Sequence, residues 1–254
     1  RLRGSKYVQS YVADCYNEVK KYLQDDRMVL FTGTPCQIEG INAFLGKKYR
    51  KLILVDIICH GVPSHKVWLE YLSWQEKRHS LKPVDANFRD KCSGWEMFSL
   101  SLGFQDGTTC STRLNEDYYM RAFLQNYSLR DSCYQCSFKK QNRVSDLTIG
   151  DLWGINDILP ELNDNKGVSV IFVQSNKGQR ILQSIENQMR LKQIDSKLAI
   201  EHNGAMTHSA FRQPMRDYFY SKIGKKDFGA LVEEVFHPTM KTRIERKLLQ
   251  CWNK

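Results

Sequence analysis

Two apolar runs, each ending in a turn that leads into a helix-forming segment, constrain the fold of this chain most. Residues 29–31 are apolar and precede Thr-Gly-Thr-Pro, after which apolar residues recur at helical spacing. Residues 52–58 form a nearly continuous apolar run, rich in β-branched residues, that stops at Cys-His-Gly, and Ser64 is placed to cap the next helix. Because two strand–helix units in succession imply parallel strands, the sequence predicts a parallel sheet whose strands end at a common edge.

Downstream, the hydrophobic pattern changes. Residues 98–104 and 108–112 alternate in polarity around Asp106-Gly107, which is a strong signal for a β-hairpin. Residues 146–151 and 168–173 are further predicted strands, the second of them buried. Further helices are predicted at residues 116–126 and 177–189, and two or three more follow residue 204. The helix after Ser64 is expected to bury Val67, Leu69, Tyr71 and Leu72.

These patterns together define the expected architecture. We predict an α/β fold with a mixed, largely parallel sheet and flanking helices, an inserted β-hairpin layer and a C-terminal helical region. Residues 1–203 are expected to form the functional domain, and residues 204–254 a helical extension.

Composition limits the classes of function. With 254 residues and a hydrophobic fraction of 41%, the chain is long and apolar enough for a substantial core. No run of 18 apolar residues is present, so we expect a cytoplasmic protein without a membrane span. The first residue is Arg1 rather than Met, and we expect a fragment or a processed chain.

The net charge indicates anionic partners. The 38 basic and 28 acidic residues give a formal charge of +10, which favours phosphates, nucleic acids or an acidic redox protein. The chain has no aromatic or groove-reading motif interleaved with this charge, so we expect no nucleic-acid partner. Nucleic-acid binding remains a weaker alternative, which strongly salt-dependent retention of DNA would support.

Four of the eight cysteines are placed for chemistry. Cys36 and Cys59 follow the two predicted strands, and Cys133 and Cys136 form a Cys-x-x-Cys pair in a loop, whereas Cys15 and Cys110 are interpreted as packing residues. A chain of this length does not need a disulfide framework, and clustered thiolates bind soft metals. Scattered donors favour a 4Fe-4S cluster over structural zinc, which usually takes two compact pairs. A zinc-stabilised, non-catalytic binding module remains the alternative.

The turn before Cys36 is also a candidate phosphate site. It opens a predicted helix, whose unpaired N–H groups and dipole favour a thiolate or the pyrophosphate of a flavin at Gly33-Thr34. The chain lacks the Gly-x-Gly-x-x-Gly dinucleotide fingerprint. Asp151 ends a predicted strand, where it would either contact a flavin or cap the following turn.

Five motifs in order resemble one known family, the coenzyme F420 hydrogenase/dehydrogenase beta-subunit family. The motifs are Gly-Ser-Lys-Tyr at 4–7, Phe-Thr-Gly-Thr-Pro-Cys-Gln at 31–37, Asp-Ile-Ile-Cys-His-Gly-Val-Pro-Ser at 56–64, Cys-Tyr-Gln-Cys at 133–136, and Asp-Leu-Thr-Ile-Gly-Asp-Leu-Trp-Gly at 146–154. Among its members, the chain looks most like the bacterial proteins linked to surface-polysaccharide synthesis. Many of these relatives begin with a ferredoxin-like domain, and we expect this chain to be a fragment that lacks it.

The resemblance implies a redox module with two cofactors. It implies that electrons pass between a 4Fe-4S cluster and FAD, which reduces or oxidises a substrate or carrier. Its cluster ligands would be Cys36, Cys59, Cys133 and Cys136. Candidates for the flavin or substrate pocket are Ser5, Lys6, Thr32, Gly33, Thr34 and Asp151. The implied partners are a ferredoxin-like domain or protein and a small molecule such as a nucleotide sugar or a deazaflavin. The resemblance identifies no catalytic residue.

Overall fold

The computed structural model describes residues 5–252, with side chains through residue 249. The helices are α1 (Cys15–Gln24), α2 (Pro35–Leu45), α3 (His65–His79), α4 (Tyr118–Leu124), α5 (Ile155–Ile158), α6 (Asn176–Ile185), α7 (Ser196–Glu201), α8 (Arg216–Lys222), α9 (Phe228–Phe236) and α10 (Met240–Trp252). The strands are β1 (Val29–Gly33), β2 (Leu52–Ile57), β3 (Pro83–Asp90), β4 (Ser99–Phe104), β5 (Thr109–Arg113), β6 (Leu147–Asp151) and β7 (Ser169–Val173). Within the described residues, no helix is long and apolar enough to cross a bilayer.

Contacts divide the chain into two compact units, each built from separate segments. The α/β unit comprises Ser10–His60 and Gln135–Ser209. The hairpin–helix unit comprises residues up to Gln9, Gly61–Tyr134 and the segment from Ala210 onward. The expected boundary after residue 203 stays a prediction, because compactness within one chain does not test whether a segment folds alone.

The α/β unit contains a four-stranded sheet in the order β1-β2-β6-β7. β1 pairs with β2 and β2 with β6 in parallel, which confirms the prediction from the two strand–helix patterns. β7 pairs with β6 in antiparallel orientation and lies at the edge of the sheet. It is only partly covered, with Val170 buried and Val173 39% exposed, so the prediction of a fully buried strand here was wrong.

One face of this sheet is covered by α1 and α2. Ile38 and Ile41 of α2 are almost fully buried and pack with Val19 and Leu23 of α1 and with alternate residues of β2. Sequence reasoning missed α1, although its buried residues are spaced four apart, as one face of a helix requires. This packing against α1 and β2 fixes α2 against the sheet.

The hairpin–helix unit contains an antiparallel sheet in the order β3-β4-β5. Gly107, with φ of 85°, forms the predicted turn between β4 and β5. The core is rich in aromatic residues from the sheet, α3, α4, α8 and α9. In α3, Val67 and Tyr71 are buried as predicted, but Leu69 is 51% exposed because it lies on the opposite face of the helix.

A buried carboxyl group caps α4 in this unit. Asp117 Oδ1 accepts the N–H of Met120 at 2.8 Å, and Asp117 Oδ2 accepts the hydroxyl of Tyr71 at 2.5 Å. Gln75 Nε2 donates to the same hydroxyl at 2.7 Å. Burial raises the pKa of Asp117 to about 6, although the hydrogen bonds from Tyr71 and Met120 oppose the shift.

This raised pKa predicts a pH dependence of stability. The folded state binds the Asp117 proton more tightly than the unfolded chain, so the contribution is fully present below pH 4 and is lost as the pH rises through about 6. Asp117→Asn keeps the cap but has no proton to lose, so the fall in unfolding free energy between pH 4.5 and 7 should shrink by about 2 kcal/mol. Urea unfolding at both pH values measures this difference.

Asp227 provides the matched control, since it caps α9 through the N–H of Ala230 and is exposed. In Asp227→Asn, the unfolding free energy should fall between pH 4.5 and 7 by the same amount as in the unmodified chain. Identical pH profiles for Asp117→Asn and the unmodified chain would exclude Asp117 as the cause.

Candidate functional site

Three parallel strands end at one edge of the α/β sheet. In the paired register Gly33 lies beside Asp56, and Ile57 lies beside Ile149. The segments that follow β1 and β2 carry Cys36 and Cys59. The strand topology therefore places these two cysteines at a common edge of the sheet, as predicted from the sequence.

The turn before Cys36 is held by a dense set of hydrogen bonds. Thr34 is the N-cap of α2; its N–H donates to Gln37 Oε1 at 2.9 Å, and its Oγ1 lies 3.1 Å from Cys36 Sγ. Gln37 also donates to Ser10 Oγ at 2.8 Å, and its carbonyl accepts the hydroxyl of Tyr16 at 2.9 Å. Burial, with smaller contributions from Cys36 and Cys15, raises the pKa of Tyr16, which keeps this donor protonated.

Two lysines connect the segment after Cys136 to this edge. Lys139 Nζ donates to the carbonyl of Cys59 and, at 2.8 Å, to the carbonyl of Ala205. Lys140 Nζ lies 2.6 Å from Glu39 Oε1, one turn beyond the start of α2. The segment that begins at Cys136 is therefore fixed to the two segments that carry Cys36 and Cys59.

A buried ion pair completes this attachment. Arg143 Nη1 lies 3.0 Å from Asp56 Oδ2, with the two side chains 2% and 1% exposed. Arg143 Nε donates to the carbonyl of Lys140 at 3.0 Å, and Nη2 donates to the carbonyl of Met206 at 3.1 Å. Ser145 Oγ donates to the second oxygen of Asp56 at 3.1 Å. Both charges are hydrogen-bonded, as burial of an ion pair requires.

Cys133 belongs to the hairpin–helix unit. It lies in a 3-10 helix over Asp131–Gln135, is 8% exposed, and its sulfur accepts the N–H of Val62 at 3.3 Å. The division between the units falls after Tyr134, inside the Cys-x-x-Cys pair. Among the side chains of residues 5–249, the structure holds no group of three or more His, Cys, Asp or Glu arranged to bind a metal ion.

The family follows from a comparison with protein-family models. The model for the C terminus of the coenzyme F420 hydrogenase/dehydrogenase beta subunit matches residues 26–197, which is more than half of the chain. The chain belongs to this family. Because the family consists of hydrogenase and dehydrogenase subunits, the chain is an oxidoreductase-related domain. A search among curated proteins found no match.

Three of the candidate cysteines have the chemistry that a ligand of the implied iron–sulfur cluster needs. Cys36, Cys133 and Cys136 are thiols without a disulfide bond. The sulfur of Cys133 accepts a backbone N–H, and that of Cys36 has a hydroxyl in hydrogen-bonding range. Hydrogen bonds to ligand sulfurs tune the potential of a cluster.

The six candidate flavin residues are divided between the units. Thr32, Gly33, Thr34 and Asp151 lie on β1, at the start of α2 and at the end of β6, all at the carboxyl edge of the sheet. Ser5 and Lys6 lie in the hairpin–helix unit. The N–H groups of Thr34 and Gln37 are bonded within the turn, so this helix start offers fewer donors to a phosphate than its sequence implies.

Gly154, at the end of the Gly-Asp-Leu-Trp-Gly motif, is required by its surroundings. It has φ of 75°, and an added Cβ would lie 2.1 Å from Nδ1 and 2.4 Å from Cγ of His202. Gly154→Ala should therefore reduce the unfolding free energy by about 2–4 kcal/mol through strain and displacement of the ring. Denaturant unfolding of the metal-free chain measures this loss.

Gly46 gives a control in the same unit. Its φ is 65°, and an added Cβ would meet nothing within 4 Å, so Gly46→Ala should cost only about 1 kcal/mol. If the two variants lost the same unfolding free energy, contact with His202 would contribute nothing to the loss in Gly154→Ala.

Sequence reasoning missed the basic residues that hold the candidate site. Lys139, Lys140 and Arg143 follow Cys136 within seven positions, and all three bond to groups distant in sequence. The concentration of positive charge directly after a Cys-x-x-Cys pair was the available signal. From the sequence alone, this charge indicated only attraction for anionic partners.

Proposed function

We propose that this chain is an iron–sulfur flavoprotein module of an oxidoreductase. Cys36, Cys59, Cys133 and Cys136 would ligate one 4Fe-4S cluster, and FAD would bind with Thr32–Thr34 and Asp151 at the carboxyl edge of the sheet. One observation carries the proposal: in a chain of this family, Cys36 and Cys59 follow neighbouring parallel strands, and Lys139 and Lys140 fix the Cys136 segment to both of them.

The surrounding residues would prepare the cysteines for this role. The Val62 N–H donates to the sulfur of Cys133 and would hold that sulfur in position as a ligand. The start of α2 places the positive end of its dipole at Cys36. Lys139 holds the carbonyl of Cys59 and so orients the backbone of that ligand. When bound, a cluster supplies single electrons and FAD supplies two-electron chemistry.

The flavin assignment depends on the sheet edge. β2 lies between β1 and β6, so Thr32–Thr34 and Asp151 are separated by about 10 Å, two strand spacings. A flavin placed across the end of β2 would span this separation. Ser5 and Lys6 would contribute to the flavin or substrate pocket from their own unit.

The proposal extends to partners. A ferredoxin-like domain or protein would supply or accept electrons, and the charge of +10 favours an acidic partner of this kind. The substrate would be a small molecule such as a nucleotide sugar or a deazaflavin. A cytoplasmic role in polysaccharide synthesis would follow from the bacterial relatives that the chain resembles.

Cofactor analysis of the anaerobically purified or reconstituted chain tests the proposal. We expect about four iron atoms, about four acid-labile sulfides and about one FAD per chain. A colourless protein with one zinc ion and no sulfide would overturn it in favour of the zinc-stabilised module. Salt-sensitive retention of DNA, with neither iron nor flavin, would favour the nucleic-acid alternative.

A further inference from the structure

Arg216, the first residue of α8, holds the segment that carries Cys133. Its side chain is buried, at 7% exposure. Nε donates to the hydroxyl of Tyr134 at 3.0 Å, and Nη2 donates to the carbonyl of Leu129 at 2.9 Å. Nη1 lies 3.1 Å from Asp131 Oδ1. One planar guanidinium therefore binds residues on both sides of Cys133.

Neighbouring groups reinforce this arrangement. Arg212 pairs with Asp131 and, at 2.6 Å, with Asp217. The Arg216 guanidinium lies over the rings of Tyr134 and Tyr220, at 5.1 and 4.3 Å from their centroids. Because arginine presents several donors in a rigid fork, it fixes the relative positions of its three acceptors in a way that a single point charge does not.

We propose that Arg216 is a positioning residue for Cys133, and that α8 thereby supports the cluster site from outside residues 26–197, the region that the family model matches. This inference rests on the proposed function, because it assigns a purpose to the ordering of a cluster ligand. It gives α8 a role in the site: Arg216 holds the 3-10 helix over Asp131–Gln135 in the conformation in which the Cys133 sulfur accepts the Val62 N–H.

The reactivity of Cys133 in the metal-free chain tests this directly. Cys133 is 8% exposed, so alkylation by iodoacetamide requires its segment to open. In Arg216→Gln, mass spectrometry should show alkylation of Cys133 accelerated by about tenfold, while Cys36 in the other unit keeps its rate. Tyr134→Phe, which removes only the phenol oxygen, should accelerate it by about threefold. In the reconstituted protein, both variants should lose iron to a chelator faster than the unmodified chain.

Arg121 supplies the control. It pairs with Glu233 on α9 and lies over the rings of Tyr118 and Phe236. Arg121→Gln should leave the Cys133 rate within about twofold, since it removes an ion pair of the same unit without releasing this segment. Equal acceleration in Arg121→Gln and Arg216→Gln, or unchanged rates in Arg216→Gln and Tyr134→Phe, would overturn the inference.

The two readouts separate this inference from the proposed function. Absence of iron in the unmodified chain would overturn the cluster, while the alkylation rates would still decide whether Arg216 orders the Cys133 segment. Normal iron with unchanged alkylation and chelation rates in both variants would overturn the positioning role alone.

Discussion

Serine in place of Cys133 is expected to remove most of the iron from the reconstituted protein, from about four atoms per chain to fewer than about one. A serine hydroxyl is a harder and less acidic donor than a thiol and does not replace a thiolate on iron. Serine can still accept the N–H of Val62, so the 3-10 helix should keep its fold. Iron and sulfide content, with circular dichroism as a check on folding, measure the effect.

Cys15 is the matched control for this substitution. It is the first residue of α1 and, like Cys36, it is partly exposed in the α/β unit. Cys15→Ser should keep the full iron content, because packing of that helix depends on Val19 and Leu23. If the two serine variants lost iron equally, or if Cys133→Ser kept it, the assignment of Cys133 as a ligand would be wrong.

The local patterns in the sequence were sufficient to predict the parallel pairing of β1 with β2 and the hairpin of β4 and β5. A buried β-branched run followed by a helix implies a parallel strand, and β1 and β2 have that arrangement. Asp106-Gly107 specifies a hairpin turn because glycine tolerates positive φ, and β4 and β5 pair around it. The common edge of Cys36 and Cys59 follows from parallel pairing alone.

The assembly of the units was not predictable in the same way. Residues 61–134 form one unit with the segment from Ala210 onward, through contacts such as Arg216 with Leu129, 87 positions apart. Helical or strand periodicity reports which face of an element is buried and not which distant element covers it. Leu69 is two positions from both Val67 and Tyr71, so it lies on the opposite face of α3 and is exposed.

The candidate site could likewise be predicted from the sequence only in part. Motifs located the cysteines because each lies beside a turn, but the polar contacts that hold the loops join distant residues. Lys139 and Cys59 are 80 positions apart, and Arg143 and Asp56 are 87 apart. A charged side chain near a loop is expected to be solvated until the fold supplies its partner, so the importance of Arg143 became visible only in three dimensions.

Arg143→Met is expected to lower the unfolding free energy of the metal-free chain by about 3–5 kcal/mol. Methionine retains the apolar stem of the side chain but leaves the carboxylate of Asp56 buried with Ser145 as its remaining partner in this cluster. The substitution also removes donors to the carbonyls of Lys140 and Met206. Urea unfolding monitored by circular dichroism measures the change.

Two further variants identify the origin of this loss. Lys51→Met breaks an exposed pair with Asp26 in the same unit and should cost less than about 1 kcal/mol, because water screens surface charges. The double variant Asp56→Asn with Arg143→Met should recover part of the loss, because no unpaired charge then remains buried. If the double variant were as unstable as Arg143→Met, packing rather than charge would explain the effect.

Since Arg143 also binds the Lys140 carbonyl, next to the lysine that holds Cys59, Arg143→Met should accelerate iron loss without removing a ligand.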